Sequence, residues 1–249
     1  MMQVIYILWL RQIKRYWRSK PRIIGSLGQP LLFLVALGFG FGPIYQRAGG
    51  GDYIQFLAPG VIAMSILFTS MFNGIEVIWD RQFGFLKETL VAPISRVKIM
   101  FGRTLGGATV ATVQGIIVFL MSMIVGFRPA NWMHLPLAFL FMFLIAMLFT
   151  SLGTAIASKL EDMHGFQLIM NFLIMPIFFL SGALFPLEGL PKVIDTITIF
   201  NPLTYGVDAL RYSFTGVAHL GVITDLSVVG GVALVVGLIG AYLFSKIEI

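Results

Sequence analysis

The sequence predicts an all-α membrane protein with six spanning helices, and three observations predict it. Hydrophobic residues fill 58% of the 249 positions and charged residues only 11%, where a soluble domain carries roughly 25% charged residues. Mean hydropathy is +0.92. The apolar residues fall into long runs, with the 17 Lys and Arg gathered at the ends of those runs. Such a chain meets surroundings as apolar as its own core over most of its outside.

A helix rises about 1.5 Å per residue, so a hydrocarbon layer about 30 Å thick takes about 20 residues to cross. Six runs meet that length: Ile23 to Phe41, Phe56 to Ile78, Thr104 to Val125, Leu135 to Ala157, Phe166 to Phe185 and Leu226 to Phe244. The longest interval between them, Pro186 to Asp225, holds 40 residues, too few for a second domain. Residues 1–249 therefore read as one transmembrane domain. Residues 1–22 differ in kind. Ile5, Leu8, Trp9, Ile13 and Tyr16 recur at helical spacing, with Arg11, Lys14, Arg15 and Arg18 on another face. That pattern predicts an amphipathic interfacial helix, anchored in the headgroup layer by its Trp and Tyr. No small-residue cleavage site follows a short apolar core, so this segment is expected to be retained.

Basic residues orient the bundle. Arg11, Lys14, Arg15, Arg18, Lys20 and Arg22 precede the first span; Arg81, Lys87, Arg96, Lys98 and Arg103 fall between the second and third. Lys159 and Lys246 share their side, whereas Arg47, Arg128, Lys192 and Arg211 lie on the other. Thirteen against four puts both termini in the cytoplasm. Charges placed this way meet anionic headgroups, and no nucleic-acid partner is expected. Gly102, Gly106 and Gly107 open the third span, and Gly230, Gly231, Gly237 and Gly240 line the sixth, a spacing that lets helix backbones approach closely in lipid. The 23 Phe read as lipid-facing or packed core.

Chemistry is sparse. There is no Cys, and His134, His164 and His219 fall in loops without metal-ligand spacing, so no metal site is expected. No phosphate-cradling G-x-x-x-x-G-K-[ST] occurs, so ATP is not bound in that manner by this chain. Among acidic residues only Glu76 falls within an expected span, near its cytoplasmic end. A stand-alone channel or secondary carrier needs a polar path or ionisable groups near mid-membrane. An intramembrane enzyme needs paired carboxylates, a His cluster or an activated Ser. The spans show neither. A chain like this moves a solute uphill only with energy from a partner.

Residues 79–95, after the second span, carry mixed charges and helix formers, and Pro93 ends them. A short cytoplasmic helix there, with apolar Phe85, Leu86 and Leu90, suits docking in a groove of another protein. A helix lying on the lipid surface fits the same pattern.

Asp80, Arg81, Gly84, Glu88, Leu90, Pro93 and Ser95 fill the places of a signature that follows the second span in type-2 ABC exporter permeases. The chain resembles that family, a group of drug, lipid and polysaccharide exporters. A second stretch, Phe179 to Glu188 followed by Leu190-Pro191, and a third, Asn201 to Arg211, occur in the family's order. The resemblance covers essentially the whole chain. It implies a transmembrane subunit without catalysis of its own, working as a homodimer with two copies of a separate ABC ATPase that binds ATP and Mg. Residues 79–95 would be the coupling helix, with Asp80, Arg81, Gly84, Lys87, Glu88, Leu90 and Pro93 at that contact. Residues 186–216 would form short re-entrant helices in the outer leaflet, an external gate including Gly182, Pro186, Asn201, Pro202, Tyr205, Asp208 and Arg211. Asn201 is expected as an N-cap with Pro202 at the first helical position, and Asp208 and Arg211 as a pair three residues apart. The cargo implied is hydrophobic or amphipathic (a drug, a lipid or a lipid-linked glycan), exported across a prokaryotic inner membrane.

Overall fold

The computed structural model describes residues 2–49, 51–86, 91, 94–187, 189 and 191–247, and every regular element among them is helical. In chain order these are α1 (Met2–Arg18), α2 (Lys20–Arg47), α3 (Tyr53–Gln82), α4 (Arg96–Val125), α5 (Trp132–Lys159), α6 (Met163–Phe179), α7 (Lys192–Phe200), α8 (Pro202–Thr215) and α9 (Val222–Ser245). α2, α3, α4, α5 and α9, of 24 to 30 residues, are long and apolar enough to cross a membrane. α6 is apolar but has only 17 residues, about 25 Å of helix. The fifth run was expected to continue to Phe185. It stops at Phe179 because residues 180–185 turn, with Gly182 at φ +72°.

Two spans are irregular. In α2, Pro30 removes a backbone donor and Phe33–Leu37 wind as a π-helix. α3 breaks at Asn73–Gly74 into Tyr53–Phe72 and Ile75–Gln82. At that break α3 meets α5 backbone to backbone: a Cβ on Gly153 would stand 2.6 Å from the Met71 carbonyl oxygen, and one on Gly74 would collide with the Gly153 carbonyl. Lipid supplies no hydrophobic drive between helices, so such close packing is what holds them.

α9 lies along α5, α1 along the start of α4, and α3 against both α4 and α5; α8 fits among α3, α5 and α9. Phe119, Phe127 and Phe214 form one cluster, with centroids 5.0 to 6.3 Å apart. Phe141, Phe149 and Phe178 are also buried, whereas Phe172 and Phe200 point outward.

The N-terminal helix is held by protein as well as by its amphipathic pattern. Gly102 and Gly106 let α1 approach α4, where a Cβ on Gly106 would lie 2.7 Å from that of Gln12. Trp9 Nε1 donates to Thr109 Oγ1 at 3.0 Å, and the Tyr16 hydroxyl donates to Gln114 Oε1 at 2.5 Å. Burial pushes the Tyr16 phenol above its ordinary pKa, which keeps it a donor. The two expected headgroup anchors thus turn into α4, and Tyr6, Ile7 and Trp17 form the outward face. Gly230 and Gly231, by contrast, face open space. Arg96 Nη1 donates to the carbonyls of Ser245 and Ile247 at 2.8 and 2.6 Å. The start of α4, the end of α9 and α1 therefore share one end of the bundle, the near end.

Candidate functional site

At the near end, the last turns of α3 carry Glu76 and Asp80, one helical turn apart and both buried. Buried carboxylates need paired cations, and three helices supply them. Arg103 of α4, its side chain 4% exposed, pairs with Asp80. Arg11 of α1 donates to Asp80 Oδ1 at 3.1 Å, and Arg15 stands 3.5 Å from Glu76 Oε2. Arg22 of α2 donates to Glu76 Oε1 at 2.9 Å and to Asn73 Oδ1 at 3.0 Å. Asn73 in turn donates to the Gly107 carbonyl at 3.0 Å. Ile75–Gln82 is thereby tied by charge to α1, α2 and α4.

This placement separates the residues read as one contact patch. Asp80 points inward. Arg81 donates to the carbonyls of Ser158 and Leu160, each at 3.0 Å, satisfying the end of α5. Gly84 adopts φ +81°, the left-handed conformation that stops the helix after Gln82. Phe85 and Leu86 resume helical geometry; Leu86 is buried, while Phe83, Phe85 and Val91 are exposed. Lys87, Glu88, Leu90 and Pro93 lie outside the described residues.

At the far end, the last carbonyls of α6 have no partner in their own helix, and side chains of the 201–211 stretch provide donors. Asn201 Nδ2 donates to Ile177 O at 2.6 Å and Arg211 Nη2 to Gly182 O at 2.9 Å, while the single Thr204 hydroxyl proton has Thr198 O at 3.0 Å and Leu180 O at 3.4 Å to choose between. Asn201 also caps α8, its Oδ1 accepting from Leu203 N at 3.0 Å, with Pro202 as the first helical residue. Two stretches read separately in the sequence are one hydrogen-bonded unit. α3 closes on it. The Tyr53 hydroxyl donates to Leu184 O at 2.7 Å, and Gly60 leaves no space for a Cβ against the Ala183 backbone. Tyr205 donates to Ile199 O at 2.9 Å within the same region, and Pro186 lines a cavity beside Arg211.

Asp208 and Arg211 do not pair as expected. The Asp208 carboxylate accepts from the backbone N–H groups of His219 and Leu220 at 2.9 to 3.1 Å, closing the turn before α9. Arg211 lies over the Phe56 ring, 4.1 Å from its centroid, a favourable cation–π placement. Burial lowers the Arg211 guanidinium to about 10, with nearby Asp208 opposing, so it remains cationic at neutral pH.

Among known proteins, the family model described as ABC-2 type transporter matches residues 3–215, from α1 to the end of α8. The chain belongs to the ABC-2 type transporter family. Nodulation protein J of Rhizobium leguminosarum bv. trifolii is 31% identical over 208 residues, covering 83% of this chain and 76% of that one. The inner membrane transport permease YadH of Escherichia coli (strain K12) is 26% identical over 239 residues, 95% of this chain and 90% of YadH. The putative transport permease ycf38 of Cyanophora paradoxa is 28% identical over 220 residues, 86% and 74% of the two chains. This ABC-2 permease is thus a multi-pass transmembrane subunit of an ABC transporter, a family that implies an ABC ATPase subunit as partner.

Sequence reasoning missed the ion cluster of the permease. The sequence pattern makes Arg103 and Arg22 only orienting charges, and Arg11 and Arg15 also the polar face of the N-terminal helix. The signal was present: Glu76 and Asp80 stand four apart on one helix, and Arg11 and Arg15 stand four apart on another. Asp225 was placed just outside the sixth span; α9 starts at Val222 and buries it fully. Nothing local in the sequence announces that.

Proposed function

We propose that this permease is the membrane half of an ATP-driven exporter, moving a hydrophobic or amphipathic cargo (a drug, a lipid or a lipid-linked glycan) out of the cytoplasm or inner leaflet. The observation that carries the reading is a family-matched chain whose exposed residues Phe83, Phe85 and Val91 follow a helix end locked by buried ion pairs. In this reading residues 1–249 are one permease domain and two copies pair. α2 and α9 bury the least of their spans, 17% and 11%, which leaves faces for a second copy and for lipid. Each copy engages one ATPase subunit, which binds the ATP and Mg. The near end faces the cytoplasm of a prokaryotic cell, as the Lys and Arg distribution favours.

ATP closing the ATPase dimer pushes on residues 83–91, with Lys87 and Glu88 as contact charges. The rigid end of α3 carries the push, and Glu76 and Asp80 hand it to α1, α2 and α4 through their arginines. The break at Asn73–Gly74 lets this short segment move relative to Tyr53–Phe72, which the far end holds. ATP thereby biases the pair between inward- and outward-facing arrangements. Gly182, Pro186, Asn201, Pro202, Tyr205, Asp208 and Arg211 form the outer gate.

The test is binding of the ATPase subunit to the chain in proteoliposomes. The double substitution Phe83→Ala and Val91→Ala is expected to weaken that binding about tenfold, the effect of losing one or two exposed apolar contacts. Unchanged affinity in a folded double variant contradicts the coupling role of this segment.

A further inference from the structure

Two cavities at the far end differ in chemistry and share a wall. The first, of about 330 Å³, is lined by Arg211, Asp195, Thr204, Tyr205, His219 and Phe56. The second, of about 380 Å³, is apolar and is lined by Leu37, Phe41 and Ile44 of α2 together with Phe179 and Leu184. Pro186 borders both. Tyr45 and Tyr53 of the apolar cavity pack on Phe56 of the polar one, with centroids 5.7 and 6.1 Å away.

Arg211 has unfilled capacity. It is 8% exposed and spends Nη2 on the Gly182 carbonyl, and its Nε has no partner. A guanidinium offers five N–H groups in one plane, and that fork fits phosphate oxygens. Asp208, on the same helix, turns its carboxylate to the backbone N–H groups of His219 and Leu220 and not to Arg211. Asp195, by contrast, is exposed on the cavity wall. A buried cation faces the same space as an exposed carboxylate, with an apolar slot beside them.

We propose that the two cavities form one amphiphile site, in which Arg211 holds the phosphate of a zwitterionic headgroup, Asp195 its ammonium, and the α2-lined cavity its acyl chain. The headgroup supplies Arg211 with a second partner while Arg211 still caps Gly182, so occupancy acts directly on the turn after α6. Placing this site on the outer leaflet rests on the exporter reading; the binding chemistry does not.

The experiment is native mass spectrometry of the purified, delipidated full chain titrated with dioctanoyl phosphatidylethanolamine. Dioctanoyl phosphatidylglycerol and free phosphoethanolamine serve as comparisons. One phosphatidylethanolamine per chain is expected, held about tenfold more tightly than either comparison. Asp195→Asn, at an exposed position, is expected to erase the preference over phosphatidylglycerol. Ala48→Trp, which fills the apolar cavity, is expected to weaken the lipid about tenfold and leave phosphoethanolamine unchanged. Arg211→Gln is expected to remove binding of all three, but it also frees Gly182, so Asp195→Asn decides. Equal affinity for the two lipids, or a preference that survives in Asp195→Asn, overturns the headgroup assignment. Free phosphoethanolamine binding as tightly as the lipid overturns the acyl half and makes the site one for a soluble phosphate compound. The assay needs no ATPase, so its failure and that of the exporter reading are distinguishable.

Discussion

The two ends of the bundle solve the same problem, buried polar groups, by different means. At the near end, charged side chains answer one another: two carboxylates sit among four arginines drawn from α1, α2 and α4. At the far end, Asn201 and Arg211 answer backbone carbonyls of a neighbouring segment. A carboxylate shared by several arginines ties their helices to its own. A carbonyl held by one donor fixes a direction. The near-end ion cluster can therefore move as one rigid piece with its pairs kept, whereas the far end holds one geometry until several bonds break together.

The sharpest way to break this contrast is at Gly60. Gly60→Val places side-chain atoms in the Ala183 backbone, which cannot yield as a side chain would. Loss of monodisperse protein in size-exclusion chromatography is the expected outcome, and a well-behaved variant would show the far end to be softer than described. Next comes Asp80→Asn, which strands Arg103 in a buried site and is expected to cost about 3–5 kcal/mol. Combining Asp80→Leu with Arg103→Met should instead recover most of that loss in thermal melts, since an apolar pair replaces a buried ionic one at little cost. Asn201→Ala removes the α8 cap and the donor to Ile177, and a loss of about 1–2 kcal/mol is expected. The smallest effect belongs to Arg11→Gln, whose side chain is 38% exposed. Less than about 1 kcal/mol is expected there, shrinking further with added salt. A loss as large as that of Asp80→Asn would mean that the outer arginines are not interchangeable.

The spans were legible because a membrane demands a length, and apolar runs report length directly. Their ends were less so. α6 stops at Phe179 where the chain turns towards Gly182, and the carbonyls of Ile177 and Gly182 are met by side chains 24 and 29 residues further on, which no local pattern encodes. Asn201 was readable as a cap because an N-cap and a following Pro act on their own neighbours. Asp208 and Arg211 misled for the opposite reason: spacing made them partners, but a turn at His219 and a ring at Phe56 competed and won. The near-end arginines were counted correctly and understood incompletely. Counting charge by side ignores which helix face a charge occupies, and Arg103 occupies the inner one.

As the membrane half of an ATP-driven exporter, this chain works only with a separate ATPase. The direct measurement is purification of the tagged chain from its native membrane in mild detergent, with the accompanying proteins identified and quantified by mass spectrometry. An ABC ATPase subunit at close to one per permease is expected. An intact bundle recovered alone, and transporting in liposomes that contain nothing else, would contradict it.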